Sequence, residues 1–320
     1  MGDDDNELMQ SFGSPPSSRP IPDGVVALPD WAVLKVTGPD ARTFLHGQLT
    51  QDVLSLTPNQ ARWAGYCTAQ GRMLATFLMW SVAEHEVRLA CSADLADKVL
   101  KRLRMFVLRA QCQLEIEPGY AFGWVGSSMV AMAGEGAQPM SVSAAAGGTL
   151  IELPPALGVR RALWWGASPV QSQAPDLPRP AWDELEVHSG VARLVLANVE
   201  QFVPQMVNWE LVGGVNFQKG CYPGQEVVAR SQYRGTLKRR AVLLTSAATV
   251  AAGDELFVQD EPDQPAGRVV LAAVPGADAG ECVALAEVRL STLAEVLHAK
   301  SPQGPAMRRL DLPYAIPELG

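Results

Sequence analysis

The sequence predicts an α+β protein with a large mixed N-terminal region and a smaller all-β C-terminal module. Three observations carry that expectation. Strand-like runs alternate with amphipathic stretches between residues 31 and 106. A Pro-rich connector, Ala174-Pro175-Asp176-Leu177-Pro178-Arg179-Pro180, precedes a further helical stretch. From Arg240 to Leu290 nearly every segment reads as a short strand between Gly- and Pro-containing turns. The 320 residues are 48% hydrophobic and 19% charged, enough for buried cores in about two domains. No internal repeat is present. The expected divisions are a tail over 1–24, a principal region over 25–235 and a C-terminal domain over 236–320.

Residues 31–36 read as a strand ending at Thr37-Gly38. Pro39 suits the first turn of a helix, and Ala41, Phe44, Leu45 and Leu49 recur at helical spacing to about Asp52. Residues 63–68 and 72–80 read as a hairpin turning at Gln70-Gly71. Ser92 is a suitable N-cap for a second helix, with Leu95, Ala96, Val99, Leu100, Leu103 and Phe106 on one face. Strands separated by glycine-containing turns are expected over 112–166, then a helix over 182–194. Segments 241–245, 255–258, 267–273 and 282–288 predict a small antiparallel barrel.

The net charge of −8 excludes a generally basic nucleic-acid binder, and the composition excludes a fully disordered chain. Asp3, Asp4, Asp5, Glu7, Asp23 and Asp30 against Arg19 place −5 in the first 30 residues and leave only −3 elsewhere. Residues 1–24 are dense in Pro, Ser, Gly and acids and are expected to be disordered. They lack a basic start followed by an apolar run, and the weakly charged stretch 118–151 is broken by glycines. A cytoplasmic protein with no membrane partner is therefore expected. Cys67, Cys91, Cys112, Cys221 and Cys282 contain no C-x-x-C, and His46, His85, His188 and His298 no H-x-x-x-H. No metal site is expected, and an iron–sulfur cluster on this chain alone would need thiolates from distant positions.

The chemistry concentrates in Lys219-Gly220-Cys221-Tyr222-Pro223-Gly224-Gln225-Glu226. Gly220 is expected to allow a conformation or a backbone approach that a side chain would block. Pro223 can open a helix with Gln225 and Glu226 in its first turn. That sets Cys221 before a helix N-terminus and two residues from Lys219, both of which favour a thiolate. The alternative for Cys221 is a small buried hydrophobe. A Cys–His hydrolase would need His188 or His46 brought in by folding. Residues 219–240 carry a local charge of +5, as do residues 98–109. Each is either a surface for an anionic partner, such as a carboxylated cofactor or an RNA backbone, or simply a solvated face.

The same eight residues resemble the signature of the YgfZ family, folate-binding relatives of the glycine-cleavage T-protein. Supporting similarities lie in Asp30-Trp31-Ala32, Gly47-Gln48-Leu49-Thr50-Gln51-Asp52-Val53, Thr68-Ala69-Gln70-Gly71-Arg72-Met73, Phe202-Val203-Pro204-Gln205-Met206, Gly213-Gly214-Val215 and Tyr233-Arg234-Gly235. The resemblance covers roughly 25–315. It implies a ring of N-terminal subdomains around a central folate cavity, closed by the C-terminal barrel. It also implies a tetrahydrofolate cofactor and a role supporting iron–sulfur client enzymes, including radical-SAM enzymes that thiolate tRNA, with tRNA itself at most an indirect partner. By position, Trp31 and Trp182 match the family's folate contacts, and Tyr222, Gln225, Glu226 and Arg230 join the expected cofactor-binding set. Cys221 and Lys219 are the expected functional pair. The aminomethyltransferase branch carries Asp where Cys221 stands, and its Asn-Ala pair is replaced by Ala90-Cys91-Ser92, with Asp94 and Asp97 nearby. A folate-dependent aminomethyl- or methyltransferase and a tRNA-binding module are the alternatives.

Overall fold

The computed structural model describes residues 22–233, 237–275 and 280–317. Most of the expected disordered tail, and Arg234-Gly235 of the sequence motifs, lie outside the described residues. In chain order the elements are β1 (Gly24–Ala27), β2 (Trp31–Thr37), α1 (Ala41–His46), β3 (Arg62–Cys67), β4 (Met73–Ala83), β5 (Glu86–Ser92) and α2 (Ala93–Arg104). They continue with β6 (Gln113–Glu117), β7 (Tyr120–Val125), α3 (Gly126–Ala133), β8 (Val142–Ala145), β9 (Gly148–Ala156), β10 (Val159–Gly166) and α4 (Arg179–His188). Last come α5 (Gln225–Tyr233), β11 (Arg239–Ser246), β12 (Glu255–Phe257), β13 (Gly267–Ala273), β14 (Cys282–Arg289), β15 (Leu297–Ala299) and β16 (Ala306–Leu310).

Two antiparallel sheets form the N-terminal part, ordered β3-β4-β5-β2-β6 and β1-β7-β10-β9-β8. The hairpin of β3 and β4 is as expected, with Trp63 opposite Leu78. Helix α2 buries Leu95, Ala96, Val99, Leu100 and Leu103, the face its 3.6-residue spacing predicts. The C-terminal strands β11-β14-β13-β12-β15-β16 close into a barrel, which removes exposed strand edges. One core runs through both sheets, α2 and α4 to the outer face of the barrel at Val270 and Leu285. A second core fills the barrel interior.

Several expected elements are corrected. Helix α1 stops at His46, not near Asp52, and Thr50, Gln51 and Asp52 serve instead as tethers. The hydroxyl of Ser92 makes no cap to α2; it accepts from Arg193 at 2.9 Å. Phe106 lies beyond α2 and is exposed. The 112–166 stretch contains a helix, α3. Helix α4 begins at Arg179, with Pro180 in its first turn where no amide is needed, and ends at His188 instead of extending to 194. The barrel continues past 290 through β15 and β16.

Buried side-chain amides connect the barrel to the rest. Asn198 Nδ2 donates to the Val270 carbonyl at 2.7 Å and Asn208 Nδ2 to the Ala241 carbonyl at 2.8 Å. Tyr314 Oη donates to the Gly190 carbonyl at 2.7 Å, tying the C-terminal segment to the end of α4.

Candidate functional site

The thiol-bearing turn is assembled from segments far apart in sequence. Thr50 Oγ1 donates to the Gly214 carbonyl at 2.6 Å and accepts from the Gly65 amide at 2.7 Å. Gln51 Nε2 donates to the Gly213 carbonyl at 2.6 Å, and the Asn216 amide to the Thr50 carbonyl at 2.9 Å. Asn216 Oδ1 in turn accepts the amides of Gln218 and Lys219 at 2.8 and 3.0 Å. Lys219 runs inward, only 9% exposed, and its ammonium donates to the His46 carbonyl and, at 2.8 Å, to the Leu49 carbonyl. These are carbonyls of the last turn of α1 and the residues after it, so the cation caps that helix end. The Lys219 ammonium also stands 4.8 Å from the centre of the buried Tyr222 ring. Burial pulls the Lys219 ammonium down to about 8, against the opposing pull of Asp52 and Cys221. Burial pushes the Tyr222 hydroxyl up.

Cys221 is the one exposed cysteine; Cys67, Cys91 and Cys282 are buried and Cys112 partly so. Burial pushes the Cys67 and Cys91 thiols up to about 12. Cys221 precedes α5, as the sequence predicts, and α5 rests on the β3–β4 hairpin turn. The glycine this contact requires is Gly224, not Gly220. Gly224 has φ +84°, and a β-carbon there would sit 2.4 Å from the Thr68 carbonyl oxygen. A β-carbon on Gly220 would meet only His46 Nε2, at 3.7 Å. The Phe202–Met206 motif completes the support: the Met73 amide donates to the Phe202 carbonyl at 2.8 Å, and Gln205 Nε2 to the Val228 carbonyl of α5 at 2.9 Å.

A narrow cavity of about 20 Å³ lies beside Trp31, the first of the predicted folate contacts. Trp31, Trp63, Leu153, Arg161, Glu186 and Arg193 are among its lining residues. The Arg193 guanidinium lies 5.0 Å from the Trp31 ring centre and the Arg161 guanidinium 5.7 Å from that of Trp182. Trp182 is fully buried against β7, where a β-carbon on Gly123 would fall 2.4 Å from its ring. Arg193 grips Glu186 with two hydrogen bonds, 2.8 and 3.1 Å, and reaches Asp30 Oδ2 at 2.9 Å, which Arg179 also holds at 2.7 Å. Burial opposes the Asp30 carboxylate, but Arg179 and Arg193 hold it below the usual range. Arg161 is 2% exposed, and burial pulls its guanidinium down to about 10 while Glu186 resists.

The donor set fits a flat heteroaromatic ligand with polar edges. Two indole faces, a carboxylate and two guanidinium groups gather here. The indole N–H groups of Trp31 and Trp182 and Asp30 Oδ1 are buried without hydrogen-bond partners among the described residues. The centre of a water-sized sphere can move through only about 20 Å³, room for about one water. A two-ring ligand therefore needs side chains of the lining to shift.

The structure thus divides the predicted site residues into two places. Trp31 lines the cavity, whereas Trp182 is fully buried outside its lining, 5.7 Å from the Arg161 guanidinium that does line it. Cys221, Lys219, Tyr222, Gln225, Glu226 and Arg230 belong to the turn and α5, where Tyr222 is buried and Glu226 and Arg230 are exposed. None of these six lines the cavity. Arg161, Glu186 and Arg193, which sequence reasoning did not bring into the site, line the cavity through contacts with no local signal; His46, named from the sequence only as a base that folding would have to bring in, meets the turn through its carbonyl, held by Lys219. Three of the cations in the +5 stretch over 219–240 are not free: Lys219 is turned inward, Arg239 pairs with Glu287 at 2.8 Å and Arg240 with Glu210. Asp94 Oδ2 accepts the Leu196 amide at 2.9 Å, a loop tether on the surface. Among the described residues no group of three or more His, Cys, Asp and Glu side chains converges to hold a metal ion. Among them, too, no helix is long and apolar enough to cross a membrane.

Two antiparallel sheets with packed helices and a closed C-terminal barrel give this chain a glycine-cleavage T-protein-like fold. The glycine cleavage system aminomethyltransferase T from Bartonella henselae superposes with a TM-score of 0.73 over 92% of this chain and 87% of its own, at 16% identity. The resemblance to the YgfZ family extends to whole-chain similarity. The tRNA-modifying protein YgfZ of Hamiltonella defensa subsp. Acyrthosiphon pisum (strain 5AT) is 29% identical over 292 residues, covering 83% of this chain and 84% of that relative. No protein-family model matches the chain.

Proposed function

We propose that this protein binds tetrahydrofolate, or a folate derivative, and acts as an accessory factor for iron–sulfur enzymes, including radical-SAM enzymes that thiolate tRNA. The observation that carries the reading is the cavity, in which two tryptophan faces, two buried guanidinium groups and the Glu186 carboxylate meet inside a T-protein fold. Trp31 would stack on the flat ring from the cavity wall, and Trp182, buried outside the lining, would be reached only as side chains of the lining shift. Glu186 offers acceptors for ring N–H and amino groups, and the arginines offer donors for ring carbonyls and nitrogens. When bound, the folate supplies one-carbon carrying chemistry, and this chain supplies its binding and orientation. The similarity to a relative named as a tRNA-modifying protein supports the link to tRNA modification. Cys221 with Lys219 is the functional pair of this reading. The cytoplasm is the compartment it requires.

Titration with tetrahydrofolate or folinic acid, followed by tryptophan fluorescence, tests the reading. Saturable quenching in the wild type, reduced in Trp31→Phe, is expected; no quenching in the wild type would remove the folate role. In a strain lacking the gene, Cys221→Ala is expected to leave a tRNA-thiolation defect uncorrected. Full complementation by that folded variant would take the thiol out of the function.

A further inference from the structure

Arg161 stands apart from the other charged side chains of the cavity. It lies on β10 where the pairing with β9 shifts register between Val159 and Arg161, an irregularity of the kind that re-aims a side chain. Its neighbour Arg160 takes the buried Glu152 carboxylate with two hydrogen bonds of 2.9 Å. Glu186, whose charge is felt at Arg161, is already gripped by Arg193. Arg193 donates to Ser92 Oγ and Asp30 as well, so each of its nitrogens is engaged. Arg161 makes one hydrogen bond, from Nε to the Pro154 carbonyl at 3.0 Å. Its two terminal nitrogens have no hydrogen-bond partner among the described residues, although the residue is only 2% exposed. The charged residues of the lining are Arg161, Arg193 and Glu186, two cations against one carboxylate, a net +1. A guanidinium kept from water with idle N–H groups is costly to fold around. A purely structural cation would have its donors filled, as the buried Lys219 ammonium does with two carbonyls. Those of Arg161 are left for something that enters the cavity.

We propose that Arg161 determines the specificity of the cavity, selecting a ring that carries an oxo group at its 4-position over one that carries an amino group there. The inference rests on the folate reading above and names the edge of the ring that is recognised. Arg161 can only donate, so its partner on the ligand must accept, and the 4-oxo group of a pterin does. The adjacent ring N–H and the 2-amino group donate, and Glu186 accepts them. Arg193 occupies two of the roughly four acceptor sites of that carboxylate, which leaves the others open. A 4-amino ring turns a donor toward a guanidinium that has no acceptor, and both groups stay unpaired out of water. A site built to hydrogen-bond one group rejects the analogue lacking it for that reason. Arg193, with its nitrogens engaged, cannot substitute.

The test compares tetrahydrofolate with its 4-amino-4-deoxy analogue, tetrahydroaminopterin, two ligands that differ only at that ring position. Affinities for the full chain are measured by calorimetric titration. The wild type is expected to bind tetrahydrofolate at least about tenfold more tightly than the analogue. Arg161→Gln, whose amide both donates and accepts, should bring the two affinities within about threefold, chiefly by weakening tetrahydrofolate. Arg161→Lys keeps a donor-only cation and should retain a preference for the oxo ring. Equal wild-type affinities overturn the proposal and leave the folate reading standing. So does a full wild-type preference retained in Arg161→Gln. The wild-type comparison needs no substitution, so it decides even where a variant fails to fold. Binding of neither ligand by the wild type removes the folate reading, and this inference with it.

Discussion

The cavity and the thiol turn hold their charged groups in opposite ways. In the cavity, Asp30, Glu186, Arg161, Arg179 and Arg193 form a largely buried network in which nearly every charge is stabilised by another side-chain charge. In the turn, the one inward charge, Lys219, is held by two backbone carbonyls, and the Cys221 thiol faces solvent. A buried ion pair is costly to break from one side, because the remaining charge is left without compensation. A backbone-held cation beside an exposed thiol can be altered with far less effect on folding. Substitutions in the cavity should therefore appear first as instability, and those in the turn first as altered chemistry.

The largest expected effect tests the cavity side. Glu186→Ala leaves Arg193 with Asp30 alone and Arg161 without its compensating carboxylate, and should cost about 3–5 kcal/mol in urea unfolding. Glu186→Gln keeps the hydrogen-bonding shape and should cost less. A loss in the alanine variant below about 1 kcal/mol, within the scatter of ordinary substitutions, would show that the network is not what holds the cavity.

On the turn side the largest effect belongs to backbone geometry. Gly224→Ala must place a β-carbon against the Thr68 carbonyl at a positive φ and should cost about 2 kcal/mol. Gly220→Ala, with only His46 Nε2 nearby at 3.7 Å, should stay within about 0.5 kcal/mol of the wild type. Equal losses at both glycines in thermal unfolding would erase the distinction drawn between them.

Lys219 separates stability from chemistry by pH. Its ammonium titrates near 8 in the folded protein, against an ordinary value of 10.5, so between these pH values the unfolded chain binds more protons. This group therefore makes stability rise as pH increases from about 8 to 10.5. Lys219→Met should remove that rise, cost about 1 kcal/mol at pH 7 through the two lost hydrogen bonds, and slow Cys221 alkylation there. A rise of the same slope in the variant would assign it to another group.

What the sequence made legible follows the range of the interactions. Helix α2 could be read because Leu95, Val99 and Leu103 repeat with the helical period, and the β3–β4 hairpin because Gln70-Gly71 is a strong turn signal. Helix α3, Gly-Ser-Ser-Met-Val-Ala-Met-Ala, was not legible: its uncharged sequence has no polar face to set a period, and only Met129 is fully buried. Strands β15 and β16 are three and five residues long, too short to establish a pattern without the barrel that pairs them. At the site, Lys219 and Cys221 stood out because a cation, a glycine and a thiol are adjacent in sequence. His46 was named only beside His188, as a base that folding would have to bring in, because its link to the turn is the carbonyl held by Lys219, a contact across 173 residues. Arg161 and Glu186 were hidden likewise, one on a strand and one on a helix, meeting only when β10 and α4 enclose the cavity.

The smallest expected effect concerns the other basic stretch, and it sharpens the comparison by asking whether any cationic surface remains once the turn is accounted for. Arg239 and Arg240 are ion-paired, so alanine there would report barrel stability more than nucleic-acid binding. On α2, Arg104 donates to the Leu114 carbonyl, but Lys98 and Lys101 project from an exposed face followed by exposed Met105, Phe106 and Leu108. The double variant Lys98→Ala, Lys101→Ala should unfold within about 0.5 kcal/mol of the wild type, because neither ammonium forms an ion pair among the described residues. Its tRNA affinity should match the wild type's across a salt series. If the slope of log affinity against log salt falls by about two, two phosphate contacts lie on α2, and the exposed aliphatic and aromatic side chains beside them become the nucleic-acid surface. That outcome would place RNA recognition on a third region, apart from both the cavity and the thiol.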